Sequence, residues 1–171
     1  KGLKPPIGSI SQMAHIRLGT KDESRNPLIR DFVPLAELQD LVFGGWDPIS
    51  PNVLEAARTA GVLDGDDLSE ISSELESIIP MEAVFDKQWV SRLDGVRIKN
   101  LENKWEQAEA LIQDIASFKE ENDCDRLVMV WCGSTEAFQE PSEVHSSVAA
   151  FEQGLKDNDP NISPSQIYAY A

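Results

Sequence analysis

Cysteine is scarce in this chain: two residues in 171, Cys124 and Cys132, with no CxxC pair. That argues against a disulfide framework and fits free thiols in a reducing compartment. No apolar run approaches the ~18–20 residues that a membrane span needs. Residues 1–8 lack the apolar stretch and small-residue cleavage pattern of a secretory signal. A cytoplasmic protein away from the membrane is the expectation, so the Asn161-Ile162-Ser163 match to a glycosylation acceptor carries no weight. Basic residues are also few. With 15 of them against 30 acidic, the formal charge is −15, which would repel a phosphate backbone, and nucleic acid is not an expected partner.

Several chemical signatures are missing as well. The two histidines, His15 and His145, are far apart and have no second ligand at zinc spacing. The acidic run Asp64-Gly65-Asp66-Asp67 places its glycine wrongly for an EF-hand. Ser134 and His145 invite comparison with a catalytic triad, but no G-x-S-x-G elbow surrounds the serine. The chain also has no G-x-G-x-x-G, the loop whose backbone N–H groups hold a dinucleotide pyrophosphate.

What remains is soluble and globular in composition, 41% apolar and 26% charged, and long enough for one domain with a core. There is no internal repeat or low-complexity tract. After Pro5-Pro6, alternation over residues 13–18 predicts a strand, and the polar stretch 20–27 a loop. Leu41-Val42-Phe43 reads as a short strand ending in Gly44-Gly45-Trp46-Asp47. A helix follows from Pro51, with Val53, Leu54, Ala57 and Ala60 on one face and Gly61 as its stop. Residues 64–79 form an acidic helical stretch carrying Leu68, Ile71, Leu75 and Ile78 on one side, closed by Pro80.

The strongest helix covers 104–121. Asn103 is placed to cap it, with Glu106 at capping-box spacing, and Trp105, Ala108, Ile112, Ile115 and Phe118 recur at steps of three and four. Residues 127–131, Leu-Val-Met-Val-Trp, are apolar without alternation, which predicts a strand covered on both faces as in a parallel sheet. Two more helices are expected, over 142–157 and 164–171. The pattern is that of an α/β layered fold, in which ligands sit beyond the carboxyl ends of the strands. Two places qualify: residues 44–47 and 132–135.

Each candidate has a plain structural alternative. Asp47 suits ribose hydroxyls, yet capping the nearby helix start is the commoner role for such a residue. Ser134 and Thr135 are ligand donors or helix-start residues. Arg97 pairs with a phosphate or, more commonly, with a neighbouring acid. The four tryptophans read most simply as core or interface residues.

The order of blocks resembles that of the myo-inositol-1-phosphate synthases, particularly the bacterial type. Lys4-Pro5-Pro6-Ile7-Gly8-Ser9-Ile10-Ser11-Gln12, Phe32-Val33-Pro34-Leu35-Ala36 and Asp40-Leu41-Val42-Phe43-Gly44-Gly45-Trp46-Asp47 carry the likeness first. Phe118-Lys119-Glu120-Glu121-Asn122, Val130-Trp131-Cys132-Gly133-Ser134-Thr135-Glu136 and Ile162-Ser163-Pro164-Ser165 with Tyr168-Ala169 complete it, over nearly the whole chain. The resemblance implies a partial Rossmann-type NAD-binding domain across residues 1–171, a parallel sheet flanked by helices. It implies a parent isomerase, a homo-oligomer (tetrameric in the family), that converts glucose 6-phosphate to myo-inositol phosphate. There, bound NAD takes a hydride from the sugar, aldol cyclisation follows, and the hydride is returned.

The resemblance also assigns cofactor-binding positions on the adenosine and pyrophosphate flank. Asp47 falls on a cofactor-contacting aspartate, and Cys132, Gly133, Ser134 and Thr135 on the family's T-A-N-T segment. Ala83 and Val84 match a Ser-Ile pair, and Asp94 and Arg97 a Gln and an Arg. Two of these depart chemically: Ala83 lacks the hydroxyl, and Asp94 has no amide to donate. The expectation is that the chain starts after the family's glycine-rich loop and stops before its G-S-P-Q-N and lysine-bearing segments. It would then hold no catalytic residue and, alone, would neither turn over substrate nor grip NAD tightly. The alternative is a stand-alone, non-catalytic binding or interaction module.

Overall fold

A computed structural model describes residues 8–19 and 26–171, and divides the chain into two compact units, Lys1–Phe43 and Gly44–Ala171. In the first, helix α1 spans Ile10–Met13 and packs on a 3-10 turn at Ile29–Asp31. A second 3-10 turn covers Leu38–Asp40. The strand expected over 13–18 is not formed. His15 makes one antiparallel bridge with Leu28, through Ile16 N–H to Pro27 O and Ile29 N–H to Ala14 O. The single turn of α1 takes up Met13 before alternation can act. Residues 41–43 also form no strand. The start of the chain with Pro5-Pro6, and residues 20–25 of the expected loop, lie outside the described residues.

The second unit holds five helices among the described residues: α2 Val53–Ala60, α3 Gly65–Ser77, α4 Lys104–Glu121, α5 Val148–Lys156 and α6 Pro164–Tyr170. Their starts follow capping chemistry. Asn52, Asp64, Asn103 and Ser147 each accept, through a side-chain oxygen, the N–H three residues on, satisfying a donor with no partner inside the helix. Asp64 is thus a cap, and no group of three or more His, Cys, Asp or Glu able to hold a metal occurs among the described residues. Helix α2 ends on Gly61 at φ 62° and packs on α3, whose Leu68, Ile71, Leu75 and Ile78 are half-buried as their spacing predicts.

Helix α4 is the spine of this unit and lies against α5 and α6. Its buried stripe differs from the expected one. Ala108 and Leu111 are fully buried, while Ile112 is 44% exposed. Leu111 lies within the same helical face as Ala108 and Ile115, and α5 and α6 approach from that side. The core gathers Ala108 and Leu111 with Val144, Leu155, Ile162, Ile167, Tyr168 and Val84. Lys104 ties the start of α4 to the turn before α6: its ammonium donates to the carbonyls of Asp159 and Ile162, both at 2.7 Å. Burial pushes the Lys104 pKa down, opposed by Asp86 and Asp159.

Backbone pairing among the described residues is limited to isolated bridges, and the two in this unit are parallel. Met81 pairs with Trp46 and Ala83 with Ile98, so the segment around residues 81–83 joins residues 45–47 to residues 97–99. The predicted strand 127–131 is a correction. It forms no bridge, its N–H groups make no hydrogen bond among the described residues, and Val128 and Val130 are 83% and 73% exposed. Continuous apolar sequence marks a segment that needs cover on both faces; no described segment pairs with its backbone. No helix among the described residues is long and apolar enough to cross a membrane.

Candidate functional site

A cavity of about 560 Å³ opens in the second unit. Its walls come from three stretches far apart in sequence. Gly44, Gly45 and Trp46 form one, Met81, Ala83 and Val84 the second, and residues 127–133 with Thr135 and Glu136 the third. Helix α6 supplies Pro164 and Tyr168. The lining is mainly apolar and aromatic, with Trp46 and Trp131 rings at 5.1 and 5.2 Å from the Tyr168 ring. The two places that the strand-end rule selected therefore meet at one hollow.

The predicted residues divide. Ala83, Val84, Cys132, Gly133 and Thr135 line the cavity. Ser134 is exposed on the same turn, its N–H donating to Cys132 O at 3.1 Å. Asp47 lies between two lining residues, Trp46 and Pro48. Its Oδ1 accepts the N–H groups of Ile49 at 2.7 Å and Ser50 at 2.9 Å, a local turn rather than the helix cap, which is Asn52. Asp94 and Arg97 do not line the cavity. Asp94 is exposed and ion-paired with Lys87. The Arg97 guanidinium donates to Pro80 O at 2.7 Å, and its buried Nε has no partner among the described residues.

The glycines serve packing as much as access. A Cβ on Gly44 would lie 2.5 Å from the Phe118 ring, and one on Gly133 2.5 Å from the Trp131 indole. Only Gly45 of this group has open space around it. Small residues here seat aromatic side chains of the cavity's own wall.

Three polar anchors went unread in the sequence. The Trp46 indole N–H donates to Asp114 Oδ2 at 2.7 Å, and the Lys99 ammonium sits 2.9 Å from the same oxygen. The Tyr168 hydroxyl accepts the Val84 N–H at 3.0 Å in the core, and burial raises its pKa well above the ordinary tyrosine value. Glu136 accepts from the Ser163 hydroxyl at 2.9 Å, from Ser165 N–H at 2.9 Å and from the Ser165 hydroxyl. The only signal for the last was that both partners stand inside motif blocks that carry the family resemblance. His145 is committed to Ser142 and Gln166, which closes the triad reading.

A flat ring suits such an apolar, aromatic-lined cavity. Residues 4–171 match the family model of an NAD-binding domain described as myo-inositol-1-phosphate synthase, and the chain belongs to that family. It is 49% identical over its whole length to inositol-3-phosphate synthase 1 of Bacteroides thetaiotaomicron, of which it covers 39%. It is 32% identical over 96% of its length to inositol-3-phosphate synthase of Citrus paradisi, of which it covers 33%. The higher identity lies with the bacterial relative, and the chain spans well under half the length of each. The crystal structure of inositol-3-phosphate synthase from Caenorhabditis elegans shares the fold, with a TM-score of 0.86 at 24% identity, over 96% of this chain and 34% of that one.

Proposed function

We propose that this chain is the NAD-holding part of an inositol-3-phosphate synthase that converts glucose 6-phosphate to myo-inositol phosphate. The observation that carries the reading is the cavity where the G-G-W-D and W-C-G-S-T-E blocks converge with Ala83 and Val84. NAD, when bound, would supply the hydride acceptor and donor that the reaction needs. The residues of this chain bind and orient it: Trp46, Trp131 and Tyr168 bound an apolar slot for a ring. The backbone around Ala83, Val84, Cys132, Gly133 and Thr135, with the hydroxyls of Ser134 and Thr135, offers it polar contacts. The free Oδ2 of Asp47 accepts from a ribose hydroxyl. Arg97 steadies the backbone at Pro80, and Asp94 holds Lys87 at the surface. Once other segments of a full-length synthase cover residues 127–131, apolar walls would exclude water and strengthen each polar contact.

The same reading makes residues 127–131 a strand of a Rossmann-type parallel sheet, flanked by helices, that other segments of a full-length synthase complete. It makes the protein a cytoplasmic homo-oligomer in which the sugar-binding and catalytic groups lie outside this chain. Calorimetric titration tests it. The full-length protein should bind NAD and turn over glucose 6-phosphate, while the isolated 171-residue chain does neither well. Low-micromolar NAD binding by the isolated chain would instead favour a stand-alone module, and a full-length protein that ignores NAD would end the reading.

A further inference from the structure

The cavity's second and third walls do not touch the same helix by chance of packing alone; each is hydrogen-bonded to it. Tyr168 of α6 takes the Val84 N–H at 3.0 Å. At the start of the same helix, Ser163 and Ser165 donate to Glu136 through two hydroxyls and one N–H. Glu136 in turn closes the turn that carries the candidate cofactor residues, its N–H donating to Gly133 O at 3.2 Å, and Ala137 N–H next to it donates to Trp89 O at 2.8 Å. Both carboxylate oxygens of Glu136 are thereby used, although the residue lines the cavity. A carboxylate so occupied is a support rather than a ligand, and charge-assisted bonds of this kind hold geometry more firmly than neutral ones.

We propose that Glu136 is a positioning residue for the cofactor: by joining residues 132–135 to the start of α6, it fixes their spacing from Ala83 and Val84 across the cavity. The inference rests on the cofactor reading of that cavity. A slot for a flat ring tolerates little widening, since displacing a wall by about 1 Å is enough to cost large factors in binding or rate. Glu136→Gln keeps the size of the side chain but leaves one acceptor oxygen where two oxygens serve three donors. Ser165→Ala removes one donor and leaves the N–H, a milder change that secures a folded variant.

The experiment measures NAD affinity of the full-length protein by calorimetry at 20 °C, beside melting curves without NAD. Glu136→Gln should weaken NAD binding about tenfold, and Ser165→Ala severalfold. Asp64→Ala, which removes the cap of α3 away from the cavity, serves as the control: it should lower the melting temperature and leave NAD affinity alone. Equal NAD affinity in wild type, Glu136→Gln and Ser165→Ala, whatever happens to their melting temperatures, would reduce Glu136 to a brace of the fold and overturn the proposal. Wild-type protein that binds no NAD would remove the cofactor reading itself, and this inference with it.

Discussion

Val84 and Tyr168, 84 positions apart, share a buried hydrogen bond: the Val84 N–H donates to the phenolic oxygen at 3.0 Å. Tyr168→Phe keeps the ring against Trp46 and Trp131 but orphans that N–H, at a cost of about 1–3 kcal/mol. Burial of that hydroxyl also sets a pH dependence, which the Val84 bond opposes. Burial raises the Tyr168 pKa in the folded protein above its ordinary value of 10.0, so the unfolded chain loses the proton first. The stabilising contribution is whole below pH 10 and declines as pH rises above it. Melting curves from pH 8 to 11 should show the advantage of wild type over Tyr168→Phe shrinking at the alkaline end. A constant gap would mean that the hydroxyl does not titrate as its burial requires.

Asp114 serves two donors at once, the Trp46 indole at 2.7 Å and Lys99 at 2.9 Å. Asp114→Asn keeps an acceptor for the indole and gives up the ion pair. Asp114→Ala leaves both donors without a partner in a largely covered site. Urea denaturation should rank them wild type, Asn, Ala, with the alanine variant losing about 2–4 kcal/mol. Equal losses would show that the indole bond contributes nothing of its own.

Gly154 reverses a general rule. Gly→Ala inside a helix ordinarily stabilises by about 0.5–1 kcal/mol. Here the added Cβ would meet Val144 Cγ2 at 2.2 Å and Ile162 Cδ1 at 2.9 Å. Overpacking of that kind costs about 1–3 kcal/mol, so crowding wins and Gly154→Ala should melt a few degrees lower. A higher melting temperature would show that Val144 relocates freely.

Asp47 holds its own turn through Oδ1, and the proposed ribose contact falls to its other oxygen. Asp47→Asn retains an oxygen for the Ile49 and Ser50 N–H groups and should melt like wild type, whereas Asp47→Ala should lose about 1 kcal/mol of stability. In the full-length protein, NAD affinity should weaken in the order wild type, Asn, Ala. Unchanged affinity with lowered stability in the alanine variant would leave the turn as the whole function of Asp47.

Most helices were legible because their signals are local, although the helix expected over 142–157 divides into a 3-10 turn at Glu143–His145 and α5. Asn103 and Gly61 act within one turn of where they stand, and the periodic faces of α3 and most of α4 follow from spacing alone. Leu111 escaped because a stripe's centre depends on which side its neighbours approach. The strands failed for a different reason: strand character requires a partner, and residues 127–131 have the composition without a paired neighbour. The parallel bridges that do form, at Met81 and Ala83, sit in a stretch too short for periodicity to mark. Motif blocks located the cavity, but the bonds behind it, Glu136 to Ser165 and Tyr168 to Val84, join residues whose proximity only folding creates.

The bare segment 127–131 has a consequence for how the isolated chain behaves in the tube. Unpaired backbone flanked by exposed valines is a template for another copy of itself. Opposing this is the formal charge of −15, which keeps copies apart at low ionic strength. Salt shortens the reach of that repulsion to about 10 Å at 0.1 M and about 3 Å at 1 M, while leaving apolar attraction intact. Light scattering from the isolated chain should therefore rise with sodium chloride, and a lysine in place of Val130 should suppress the rise.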